Sequence, residues 1–152
     1  MSDVDVYRDP RMKKEMKKII KSSSAKISVV VDGVTQRVDI KKFIMTRVDK
    51  IHNLIQEYGR DIIHIVDDSY GKGLIAEALT NYPCYFSTYI VHGRPIQVRL
   101  IFAFFDDWSK CVFITIFIEK NDSVDYSFVI KNRVDRRVKE YEKIFGKCSR
   151  RY

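Results

Sequence analysis

Three observations predict an α+β fold in which an antiparallel sheet packs on helices. Two β-branched runs, KISVVV and VTQRVDI, meet at Asp32-Gly33, the strongest short-range hairpin signal. Three apolar runs at 85–91, 96–105 and 111–119 follow one another across short polar turns, as in a meander. Apolar residues recur at helical spacing in separate segments, so strands and helices are segregated along the chain.

The elements follow in order. Asp9-Pro10 is a helix start, a capping carboxylate followed by proline at the first helical position. Met12, Met16, Ile19 and Ile20 then share one face, with Lys13, Lys14, Lys17, Lys18 and Lys21 around the rest. Ser22-Ser23-Ser24 closes this segment as a polar linker. Residues 1–24 are therefore expected to form a basic N-terminal arm, and 25–152 the domain proper. After the hairpin, Ile44, Val48, Ile51, Ile55 and Tyr58 predict a helix over 41–58 with Gly59 as its C-cap. The segment IIHIVDDSYGKGLIAEAL reads as a short extended stretch, a glycine-containing loop and a brief helix from Leu74 to Leu79.

The meander turns at His92-Gly93-Arg94-Pro95 and again at Asp106-Asp107-Trp108-Ser109, where Trp108 is expected to fold back onto the sheet. Its last two strands are apolar at nearly every position, which requires cover on both faces of the sheet. Ile130, Val134, Val138, Tyr141 and Phe145 predict a final helix over 128–145. The opposite face of that helix carries Lys131, Arg133, Arg136, Arg137, Lys139 and Lys143.

With 152 residues, 45% hydrophobic and 32% charged, the chain suits one globular domain and is unlike a disordered segment. No apolar run approaches the length of a membrane span, and no signal-peptide core is evident, so a cytoplasmic protein with no membrane partner is expected. Cys84, Cys111 and Cys148 are odd in number, widely spaced and without a CxxC pair. They are expected to be free thiols rather than zinc ligands or a disulfide framework. No H-x-x-x-H motif or carboxylate cluster implies a metal, and no cofactor is expected. His52 and His64 read as ordinary helix and strand residues.

The net charge is +8, of which 11–21 carries +5 and 131–151 carries +6, leaving −3 for the remainder. Positive charge gathered at two ends suits a phosphate backbone or an acidic partner. The plainer alternative is a pair of solvated helix faces.

Three stretches carry a family resemblance: EYG at Glu57–Gly59, VRLIFAFFDD from Val98, and FIEK…IKNRVDRRVKEY from Phe117. Over 26–145, about four-fifths of the chain, the order of elements and these stretches resemble the RelE/HigB superfamily of toxins from toxin–antitoxin modules, in its phage-type HigB branch. The chain departs from the family pattern at two places. The G-L-[YW]-E-L-R strand has no clean counterpart beyond GLIAEAL, and Glu119 stands where the first lysine of F-x-K-K is usual.

The resemblance implies a metal-independent endonuclease that cuts mRNA on the ribosome and is held inactive by a cognate antitoxin. A ribose 2′-hydroxyl attacks the adjacent phosphate, so such a site needs cations on the phosphorane and groups that move protons. The resemblance assigns Arg99, in mid-strand, to the phosphate, because a guanidinium grips two oxygens and stays charged. Lys120 and Tyr126 complete the candidate catalytic set. His92 and Arg94 at the hairpin tip, with Lys131, Arg133 and Arg137 on the last helix, are candidate nucleic-acid contacts. A salt bridge from Arg99 to Glu119 or Asp125 is its structural alternative. Two other functions share the scaffold: a catalytically silent module that binds nucleic acid or protein, and a ParE-like gyrase inhibitor.

Overall fold

The computed structural model describes residues 3–22, 26–69, 73–94, 97–119 and 126–151. Strand β1 (Asp5–Arg8) leads into α1 (Pro10–Ser22), and the hairpin β2 (Lys26–Val31) and β3 (Val34–Asp39) leads into α2 (Ile40–Tyr58) and a 3-10 turn over Gly59–His64. A two-residue strand, β4 (Glu77–Ala78), precedes the meander β5 (Tyr85–Arg94), β6 (Gln97–Phe105) and β7 (Lys110–Glu119). The chain then runs through α3 (Tyr126–Val129), a π-helical stretch (Ile130–Val134) and α4 (Asp135–Phe145) as one helical element. The class is α+β, with helices packed on a sheet.

The strand order is β1-β7-β6-β5-β2-β3, with β4 also paired to β5. Along the outer edge of β5, β4 pairs with Phe86 and Ser87, while β2 pairs farther on with Gly93 and Arg94. The meander and hairpin are antiparallel as expected. The sheet is nonetheless mixed, because β1 pairs parallel to β7 from Asp5↔Lys110 to Arg8↔Phe113.

Local chemistry accounts for the hairpin and for α2. Asp32 (φ 52) and Gly33 (φ 78) are both left-handed, as a two-residue turn matching the strand twist requires. The Asp39 side chain accepts from Lys42 N at 3.1 Å and caps α2, and Gly59 (φ 57) ends it. The brief helix expected over Leu74–Leu79 is absent. Glu77 and Ala78 are instead drawn into strand pairing with β5, since so short a helix closes few internal hydrogen bonds and cannot repay its nucleation. The β5 strand continues to Arg94, so the tip expected at 92–95 begins later; Pro95 lies outside the described residues.

Both faces of β6 and β7 are buried almost throughout. Val98, Leu100, Phe102 and Phe104 face a core with Ile44, Val48, Ile51 and Ile55 of α2. Ile101, Ala103 and Phe105 face a second core with Ile130, Val134 and Val138. A bulge in β7 opposite Ile101/Phe102 shifts its positions facing the α2 core from Cys111 and Phe113 to Ile116 and Ile118.

The basic N-terminal segment is part of this body and not an appended arm. Beyond β1, α1 lies against β7, and Met12 (0% exposed) and Ile19 (7%) enter the same core as α2. The reason is the open edge of β7, whose backbone and apolar side chains need cover. Asp9, fully buried, fixes the junction: it accepts from Arg11 N at 2.7 Å, from the Arg11 guanidinium and from the Tyr141 hydroxyl at 2.8 Å.

Met12→Ala should cost about 2–5 kcal/mol by urea denaturation, whereas Lys13→Ala should leave the midpoint unchanged, and a chain starting at residue 23 should lose cooperative unfolding. Burial by itself would raise the Asp9 carboxyl, but hydrogen bonds from Arg11 and Tyr141 outweigh it and hold the group below its ordinary 3.8. Its stabilisation is thus complete above the ordinary carboxylate range and disappears as pH falls through the lower folded value. Asp9→Asn should remove that part of the acid limb in a stability–pH profile.

Candidate functional site

Arg99 sits on β6 directly opposite Tyr89 of β5 and Phe117 of β7, on the sheet face that also carries Ile101. It is 8% exposed. Its Nε donates to Glu119, Nη1 donates to Glu77 Oε2 at 3.1 Å and Ser87 Oγ at 3.3 Å, and Nη2 donates to the Tyr89 hydroxyl. The guanidinium carbon lies 3.8 Å from the Tyr89 ring centroid. Glu119 is almost wholly buried, whereas the Glu77 side chain is 39% exposed. One guanidinium therefore faces two carboxylates, and an incoming phosphate would have to compete with both.

Beside this cluster, Glu77, Ala78, Leu79, Thr80, Tyr82 and Arg99 line a pocket of about 250 Å³. His92 stacks on Tyr89 with ring centroids 4.1 Å apart and nearly parallel planes. The bulge between Tyr89 and Val91 puts both rings on one face. Arg99 and His92 are thus brought together through Tyr89. Arg94 and Tyr126 are described in backbone only, at the end of β5 and the start of α3, and Lys120 lies outside the described residues.

The three candidates on the last helix separate. Arg137, 7% exposed at its side chain, donates from Nη2 to Glu15 Oε2 at 2.9 Å and from Nη1 to Glu15 Oε1 at 3.0 Å and Ile114 O at 2.9 Å. Arg133 meets Glu15 at 3.2 Å and Thr115 Oγ1 at 3.2 Å and stays partly exposed. Lys131 is exposed. Glu15, the single acid within the basic segment 11–21, is the hub that fastens α1 to the last helix.

That hub creates a surface the separate segments do not suggest. Arg11 pairs with Glu140 at 2.7 Å, and Glu15 pairs with Arg137 one turn farther along α1. The pairing order runs in opposite directions on the two helices, so α1 and α4 lie antiparallel. Lys13, Lys14, Lys17, Lys18 and Lys21 of α1 remain exposed, as do Arg136, Lys139 and Lys143 of α4. Helical spacing puts Lys14, Lys18 and Lys21 on the outer side of the seam with Arg136 and Lys143 across from them. The two positive ends of the sequence thus become one face.

Trp108, expected to fold back, does so. It is 7% exposed, its ring centroid is 4.9 Å from that of Phe104, and the Arg60 guanidinium lies 4.8 Å from its own. Among the described residues, no group of three or more His, Cys, Asp or Glu is placed to hold a metal ion, and no helix is long and apolar enough to cross a membrane. Neither a protein-family model, a curated protein nor a solved structure matches this chain.

Sequence reasoning passed over Ser87, Tyr89, Glu77 and Glu15. Tyr89 and Ser87 reach Arg99 only through strand register, Glu77 fell in a segment read as helix, and Glu15 was hidden by the lysines around it. If the Arg99 cluster is a buried ion-pair support, Arg99→Ala should cost about 3–5 kcal/mol, because Glu119 is left buried and uncompensated. Urea denaturation checks this.

Proposed function

We propose that the protein is a nucleic-acid-binding module that grips single-stranded RNA through the paired α1/α4 face, without nuclease chemistry of its own. The observation that carries this reading is the junction of two lysine- and arginine-rich helices along one seam, with Glu15 and Glu140 turned into ion pairs between them. A row of exposed ammonium and guanidinium groups binds a phosphate backbone by releasing its counterions. The RelE/HigB resemblance supports RNA as the ligand and an antitoxin as the partner. The endonuclease it also implies would need Arg99 to turn from two carboxylates to a phosphate, and Glu119 occupies the position of a usual lysine. Those contacts favour binding over cutting.

Fluorescence anisotropy with a labelled single-stranded RNA tests the proposal. Affinity should fall steeply with salt, with a log–log slope of about −0.7 for each phosphate neutralised. Lys14→Glu/Lys18→Glu and Arg136→Glu/Lys143→Glu should each weaken binding by about tenfold or more and flatten the slope. Lys41→Glu/Lys42→Glu, on exposed positions of α2, should change little. Equal losses from all three pairs, or a flat salt response, would remove the reading. Cleavage of RNA by the wild type in the presence of ribosomes, abolished by Arg99→Ala in a folded protein, would reinstate the endonuclease.

A further inference from the structure

The three cysteines have unequal surroundings. Cys111 is fully buried in the α2-side core, whereas Cys84 and Cys148 are half-buried next to one another, 64 positions apart in sequence. The contact is reciprocal: Cys84 Sγ lies 3.5 Å from Cys148 O, and Cys148 Sγ lies 3.8 Å from Cys84 O. Two such contacts hold the backbones side by side, the arrangement from which rotation about each Cα–Cβ bond brings two sulfurs together.

The surrounding chain fixes this placement from both directions. Arg151 N donates to Pro83 O at 3.1 Å, and Ser149 N donates to Phe104 O at 2.7 Å. Cys148 N itself donates to the Glu142 carboxylate at 3.0 Å. Cys148 and the residues that follow it are therefore tied to Glu142, to Pro83 next to Cys84, and to β6.

We propose that Cys84 and Cys148 are a redox-modification site, forming an intramolecular disulfide when the protein meets a peroxide. One thiolate attacks the peroxide, whose O–O bond breaks to give a sulfenic acid and one hydroxide or water. The second thiolate then attacks that sulfur, the S–S bond forms, and the sulfenic oxygen leaves as water once protonated. Two thiols lose two electrons and two protons in total, and hydrogen peroxide becomes two molecules of water. The Cys148 thiol is raised by burial and by the neighbouring Cys84, so the bridge should form faster as pH rises.

The bridge would lock the C-terminal tail onto the loop beside the Arg99 pocket. Arg151 Nη1 already donates to Leu79 O at 3.1 Å and Tyr82 O at 3.2 Å, and both residues line that pocket. The full chain should be treated with hydrogen peroxide at mildly alkaline pH, its remaining thiols alkylated in denaturant, and its peptides mapped by mass spectrometry. Expected is one 84–148 cross-linked peptide, a single alkylated cysteine at 111, and recovery of three alkylated cysteines after dithiothreitol. Cys84→Ser and Cys148→Ser should each abolish the cross-link. Oxidation that leaves three alkylatable thiols, or that bridges only separate chains or involves Cys111, overturns the proposal.

Discussion

The burial of β6 and β7 on both faces is the constraint from which the architecture follows. A strand such as QVRLIFAFF cannot leave either side to water. One side is met by α2, and the other by the C-terminal helix. That still leaves the outer edge of β7, where unpaired backbone groups and apolar side chains would invite association. Strand β1 pairs with the first half of that edge, and α1 lies along β7 beyond it. Closing the edge brings the N-terminal basic helix against the C-terminal one. The shared cationic face is thus a consequence of how the sheet is sealed.

The same packing sorts the basic residues by type. Among the described residues, the buried basic side chains are Arg47, Arg99 and Arg137, and each is ion-paired. Arg47 donates to Asp67 at 2.6 Å and to Tyr89 O at 3.0 Å, joining α2 to the loop before β4 and to β5. Arg137 performs the corresponding task on the other face through Glu15 and Ile114 O. A planar guanidinium can satisfy several acceptors in fixed directions at once, which an ammonium cannot. Lysines, more strongly hydrated, stay on the outer faces of α1 and α4. The chain's positive charge therefore divides into a structural arginine set and an exposed lysine-rich set.

This division explains what the sequence did and did not disclose. The hairpin, α1, α2, the meander and the last helix were legible because each has a local period or a turn signal strong enough to stand alone. Strand β1 was not, since DVYR has no flanking signal and becomes a strand only because β7 offers it an edge. The turn at 106–109 was placed correctly, but its three successive left-handed residues, Asp106, Asp107 and Trp108, have no glycine to announce them. They are held by the tail: Asp106 N donates to Lys147 O at 3.2 Å and Trp108 N to Ser149 Oγ at 3.0 Å. Such strain persists only where surrounding contacts over-determine it. For the site, alternation put Arg99 and Ile101 on the same face, but only register supplied Tyr89, Ser87 and Glu77. The basic segments could be counted from the sequence; their adjacency depended on Glu15.

The contacts of Arg99 also bear on whether a mid-strand arginine can act on a phosphate. To do so it must loosen from Glu119, whose side chain is only 2% exposed. The displaced carboxylate would remain buried with its charge uncompensated, a penalty of several kcal/mol. A single charge-assisted contact to phosphate returns about 1.5–3 kcal/mol, less than the pair gives up. Glu77 differs, being partly exposed, and can turn toward water when its partner moves. The decisive residue is therefore Glu119. A lysine there would repel Arg99 and leave its fork open to an anion, whereas glutamate closes it. Glutamate at this position is what permits Arg99 to be buried with its charge compensated.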